Sequence, residues 1–357
     1  MDLDNLILQQ LDHMDLHSLS DLMGVIPDDE TFRNFTDIKT FVLQVIHGES
    51  IWNTESLFQW IGELFLGQVQ SSLSTCSLIL LISMISGLLN GISDSMGKQT
   101  VSRVGTMICL SVTVSLTAVE FLRVYHYFQN QMELMIMTVQ ALFPVLIPMI
   151  AASGHVMTGT VTHPIILSFI TAIATAVEHW ILPAVFTSCY LCIIGRMVDQ
   201  RFLNKTGTLI REGVIFVLGL IVTLFSAITA IQSTVGNTAD SLLMKTARFS
   251  VDNFIPFIGG FAADSMDMVI QCTFAIKNAI GIWGILLLIV FMIVPLVRIA
   301  AIIVLFRIGS VFTEAVTEKT ISGCMEDVSS ALTTLAVVYI LLGILFIAFL
   351  GILISIG

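Results

Sequence analysis

From residue 73 onward the chain returns repeatedly to apolar stretches long enough to cross a hydrocarbon core of about 30 Å. Those near 73–92, 104–122, 134–152, 163–179, 181–197, 212–233, 284–306 and 328–354 read as spans, and the fourth and fifth form either a tight hairpin or one bent unit. No other feature restricts the fold as much. In lipid every backbone N–H and C=O must be satisfied within the segment, so a chain of this pattern folds as helices or a closed barrel, and runs this long and unalternating are helical. The expected class is all-α: a polytopic helical membrane protein of seven or eight spans with proline-broken or re-entrant segments.

Charge divides the chain. Residues 1–72 carry twelve acids against Arg33 and Lys39, a net of −10, whereas the remainder has 14 acids and 13 bases. The overall −11 therefore belongs to the N-terminal segment, and a chain with no basic face is not built for nucleic acid. The expected domains are an acidic helical segment over 1–72 and a multi-span body over 73–357.

The short loops predict orientation. One side collects Lys98, Arg103, Arg196, Arg201, Lys205, Arg211, Arg307 and Lys319, while the loop "RVYHYFQNQME" offers Arg123 alone. Cytoplasmic loops are enriched in such bases, so the N-terminal segment and the C-terminus are expected outside. "MDLDNLILQQ" lacks the basic and apolar regions of a cleavable signal, which predicts a signal already removed or help in crossing.

Within the acidic segment, Leu3, Leu6, Ile7, Leu11, Met14, Leu19, Leu22 and Met23 form an approximate helical stripe. A second helix is expected in "TFRNFTDIKTFVLQVIHG" and a third in "NTESLFQWIGELFLGQVQ", capped by Asn53 or Thr54 and lying on the membrane surface. These helices form either a self-packed cap or a docking surface.

A shift of 108 positions aligns Arg103 with Arg211, Gly105 with Gly213, and Ile147, Pro148, Ile150 with Ile255, Pro256, Ile258. Small pairs follow in both copies, Ala151–Ala152 and Gly259–Gly260. This predicts two related units, 73–179 and 181–306, each with a broken element. Transport folds place such breaks where freed backbone groups line a cavity.

The richer break lies in "VGNTADSLLMKTARFSVDNFIPFIGGFAADSMDMVIQCTFAIKNAIG", residues 235–281. Pro256 removes a helical donor, Gly259 and Gly260 loosen the backbone, and the charges are costly in lipid. The expectation is a helix, a break at Asn253 to Gly260 and a second helix, either dipping into the membrane or lying across its outer surface. Its candidate conduit or subunit-contact residues are Asp240, Lys245, Arg248, Asp252, Asn253, Pro256, Gly259, Gly260, Asp264, Asp267, Lys277 and Asn278, with Arg298 in a later span. Pro144, Pro148 and Gly154 are the candidate companion break. Glu120 is expected at an interface near a span end.

Catalytic and cofactor chemistry finds no pattern here. Cys189 and Cys192 make a CxxC inside an apolar stretch, where free cysteine packs as a small apolar residue, and the histidines have no ligand spacing. There is no HExxH and no phosphate loop. The expectation is a non-enzyme without cofactor or metal.

The block "GNTADSLLMKTARFSVDNFIPFIGGFAADSMDMV", followed by "KNAIGIWG", together with "ALFPVLIPMIAASG", "THPIIL" and "VDQRFLNK", resembles the stage III sporulation protein AE family of endospore-forming bacteria. The likeness runs from about residue 55 to 350 and touches the tail at "LDHMDLHSLSDLM". It implies a polytopic protein of the mother-cell membrane around the forespore. It also implies partners, the other products of the stage III sporulation A operon and a forespore protein, with which the chain builds a channel or secretion-like complex. A homo-oligomer is compatible with that role. The alternative is an independent secondary transporter moving a small solute between two states of the units.

Overall fold

The computed structural model describes residues 37–48, 54–96, 99–152, 163–198, 200–254, 259–316 and 319–355, with the backbone alone over 54–55, 90–96, 99–103, 163–166, 231–254, 259–269, 316 and 319. The first 36 residues, and with them the first amphipathic stripe, lie outside the described residues. Among the described residues every regular element is helical: α1 (Ile38–His47), α2 (Thr54–Met96), α3 (Gln99–Ala152), α4 (His163–Ala176), a π-helical turn (Val177–Ile181), α5 (Leu182–Met197), α6 (Arg201–Phe254), α7 (Gly259–Val316) and α8 (Lys319–Ser355).

α1 forms where the second amphipathic helix was expected. Asp37 caps it by accepting from the Lys39 backbone N–H at 3.0 Å, and Gly48 closes it at φ 70°, a left-handed conformation that glycine adopts without Cβ strain. Ile38, Phe41 and Val42 are buried, and the helix packs on α7. The expected third helix does begin at Thr54, but it runs without interruption through residues 72 and 73 into the first span.

Six helical segments are long and apolar enough to cross a membrane: Ser56–Leu89, Val104–Ala152, Leu167–Met197, Arg201–Ala230, Ile270–Ala315 and Thr320–Ser355. Two pairs of expected spans are single units. The polar stretch 123–133 is not a loop, because Val124, Phe128, Met132 and Met135 fall at helical spacing and are all buried, leaving the polar residues on the other face of a continuous α3. Residues 163–197 form one bent unit. Pro183 lacks the N–H an α-helix would send to the His179 carbonyl, and the backbone there widens into the π turn.

Helices of 54 and 58 residues, α6 and α7, are about 80 Å long at 1.5 Å per residue, more than twice a hydrocarbon core. The body is organised around α7 and α8, which pack most extensively on each other, with α2 and α3 against α7 and α5 against α8. Phe128 meets Tyr339 with ring centroids 4.7 Å apart, and the Tyr339 hydroxyl donates to the Phe291 carbonyl at 2.8 Å. Three helix turns gather at one end. Cys109 and Leu110 near the α2–α3 turn pack with Ile321 and Cys324 near the α7–α8 turn, and Arg196 beside the α5–α6 turn reaches Asp327 of α8.

Candidate functional site

The expected break at 253–260 coincides with a helix boundary. α6 ends at Phe254 and α7 starts at Gly259, while Pro256 and its neighbours at 255–258 lie outside the described residues. Asp240, Lys245, Arg248, Asp252 and Asn253 are on α6, and Gly259, Gly260, Asp264 and Asp267 are on the first turns of α7. These two arms are both continuous with the long apolar helices α6 and α7. After its apolar run ends near residue 233, α6 continues for about 21 residues, about 32 Å of largely charged and polar sequence.

The companion break behaves differently. α3 is helical through Pro144 and Pro148 and ends at Ala152, with Gly154 outside the described residues. Both prolines face outward, and the buried Leu142, Val145, Leu146, Met149 and Ile150 hold the helix against its neighbours despite the missing donors. Pro148 thus lies inside a helix, whereas its counterpart in the 108-residue shift, Pro256, follows the end of one.

Lys277 and Asn278 lie where α7 passes the C-terminal end of α8. Lys277 is fully buried, donates from Nζ to the Ile354 carbonyl at 3.2 Å, and sits 4.5 Å from the centre of the Phe274 ring. A cation at the last carbonyls of a helix complements their partial negative charge and ties the two helices together. Asn278 Oδ1 is buried with no hydrogen-bond partner among the described residues.

Arg298 is half-buried, with its guanidinium carbon 5.0 Å from the centre of the Tyr127 ring. It opens onto a cleft of about 450 Å³ between α2 and α7, lined also by Trp60, Glu63, Leu64, Gly67 and Gln68. Polar groups recur within the apolar segments. Glu120, expected at an interface, is buried on α3 and pairs with the Arg123 guanidinium at 2.7 Å, and Glu178 and His179 sit in the π turn.

Sequence reasoning missed one junction. Arg196 donates to both carboxylate oxygens of Asp327, at 2.6 and 3.2 Å, and joins α5 to α8. Arg196 had counted only as a loop base. The available signal was the row of small residues that makes room: a Cβ on Gly323 would strike the Arg196 guanidinium, and one on Gly207 would strike Cys192. Ser188 donates to the Gly207 carbonyl at 2.7 Å, and all six cysteines are buried.

The family model for stage III sporulation protein AE matches residues 36–357, that is, α1 and all six spans. The chain belongs to that family. Stage III sporulation protein AE of Bacillus subtilis (strain 168) is 22% identical over 337 residues, covering 94% of this chain and 82% of that protein. No solved structure matches this chain. For a member of this family the arms, Lys277 and Arg298 are features of a multi-helix membrane protein with a role in sporulation.

Proposed function

We propose that this chain is a non-enzymatic subunit of a channel or secretion-like complex between mother cell and forespore. In that reading it resides in the mother-cell membrane and assembles with the other stage III sporulation A operon products and a forespore partner. The observation that carries the proposal is the pair of charged arms on α6 and α7 in a member of a sporulation family. Helix that continues far past its apolar span offers charged surface that a lone lipid-bound bundle does not need. Asp240, Lys245, Arg248, Asp252, Asp264 and Asp267 are the subunit-contact residues, and Asn253 to Gly260 redirect the chain between the arms.

The orientation in this reading is supported by the three turns that share one end, since Arg103, Arg196, Arg201, Lys205, Arg211, Arg307 and Lys319 lie on the helices that meet there. That end is cytoplasmic by the bias of bases toward cytoplasmic loops. With six spans, the arms, α1 and the C-terminus are then extracytoplasmic, in the space between the two membranes.

Deleting the gene in the spore-forming host tests the proposal. Development halts after engulfment, and a copy with the six arm charges replaced by Asn or Gln reaches the membrane but fails to restore spores. Normal spores from the deletion strain, accompanied by lost uptake of one solute, would instead establish an independent transporter.

A further inference from the structure

Arg211 of α6 is a charge without a counter-ion. Its Nη2 donates to the Cys192 thiol at 3.8 Å across the α5–α6 seam, and its Nε is buried with no partner among the described residues. No ion pair joins it to a carboxylate among those residues. Asp327, the carboxylate at this junction, is held through both oxygens by Arg196, and Glu212, next in sequence, is exposed and turned about 100° away round the helix. A half-buried guanidinium left uncompensated is costly, so an anion from outside the chain belongs beside it.

The same strip of α6 leads to an apolar groove. At about 100° per residue, Arg211, Ile215, Val222, Ser226 and Thr229 fall within about 60° of one another round the helix. Val222, Phe225 and Ser226 line a groove of about 470 Å³ whose other wall is Leu341, Ile344 and Ala348 of α8. Ile215, between Arg211 and the groove, is 45% exposed. The rise from Arg211 to Val222 and Phe225 is about 16 to 21 Å, and half a bilayer with its headgroups is about 20 Å. A lipid whose phosphate sits at Arg211 therefore ends its chain in the groove.

We propose that α6 and α8 together bind one anionic phospholipid of the phosphatidylglycerol class. Its phosphate sits on the Arg211 guanidinium, and one acyl chain runs along Ile215 into the groove. Arg201 and Lys205, exposed on the first two turns of α6, favour an anionic headgroup, because a zwitterionic one brings its own cation beside them.

The test is native mass spectrometry of the whole chain in detergent with equimolar phosphatidylglycerol, phosphatidylethanolamine and phosphatidylcholine, each carrying palmitoyl or lauroyl chains. Palmitoyl phosphatidylglycerol is retained with about a ten-fold preference over the two zwitterionic lipids, the scale of one charge-assisted hydrogen bond. Arg211→Gln abolishes the headgroup preference and Arg211→Lys keeps part of it. Ala348→Phe, which fills the groove, removes the preference for palmitoyl over lauroyl chains and leaves the headgroup preference in place. Equal retention of the three headgroups by the native chain overturns the proposal. So does an unchanged headgroup preference in Arg211→Gln or, should that variant not fold, in Arg211→Lys. A chain-length preference that survives Ala348→Phe overturns the placement of the acyl chain. Displacement of the lipid by the same concentration of inorganic phosphate overturns the lipid assignment and makes Arg211 a site for free phosphate.

Discussion

Helices α6 and α8 are built from the same kind of apolar sequence and have opposite environments. Half of the α8 span window is buried within the protein, against 17% of the α6 window. Along α8, Val328, Leu332, Leu335, Tyr339, Leu342, Phe346, Phe349 and Leu353 all pack inward, while on α6 Ile215, Phe216, Val217, Leu220 and Leu224 are exposed. Lipid is as apolar as leucine, so hydrophobicity does not choose between these outcomes; close packing does. Gly281 and Gly343 in the α7–α8 seam, and Gly284 where α7 meets α3, leave no room for a Cβ unless a neighbour shifts, since it would strike Ile354, Met292 and Leu142 respectively, whereas around Gly213 and Gly219 of α6 nothing lies within 4 Å. α7 and α8 are therefore the scaffold. α6 is the helix whose apolar face meets lipid or another chain while its arm extends beyond the apolar span.

The contrast predicts a graded set of responses to substitution. Gly284→Leu drives a large side chain into Leu142 of α3 and should cost about 3 kcal/mol, read as a lowered unfolding midpoint in detergent; no change would show the packing of α7 to be loose. Asp327→Ala leaves Arg196 half-buried without its carboxylate and should cost about 2 kcal/mol. Arg196→Leu combined with Asp327→Leu recovers part of that loss in a double-mutant cycle, and fully additive losses would rule out coupling. Tyr339→Phe removes only the bond to the Phe291 carbonyl and should cost about 1 kcal/mol. Gly219→Leu on α6 should stay within about 0.5 kcal/mol in detergent; a loss as large as that at Gly284 would erase the distinction between the two helices.

The sequence made the helical membrane class legible because apolar length in lipid leaves few structures. It also located α1, the start of α2 at Thr54 and the boundary between α6 and α7, where caps, proline and glycine act locally. It misplaced 123–133, since averaged polarity hides a stripe such as Val124, Phe128, Met132 and Met135. Prolines 144 and 148 were read as a break from local propensity alone, but packing of the residues between them keeps α3 helical. Asp327 drew no notice because its role depends on Arg196, 131 positions away, brought beside it only by the fold. Arg298 stood out from its apolar run, yet its cleft needed Trp60 and Glu63 from a helix that the sequence reading laid on the membrane surface.

The placement of the arms outside the cytoplasm is the point on which the proposed role turns. Single cysteines at Asp264 and Lys319 test it in intact vegetative cells expressing the chain, against a background in which the six native cysteines are buried. A membrane-impermeant thiol reagent added from outside should label Asp264→Cys at once and Lys319→Cys only after the membrane is permeabilised. Protection of Asp264→Cys together with immediate labelling of Lys319→Cys would contradict the account.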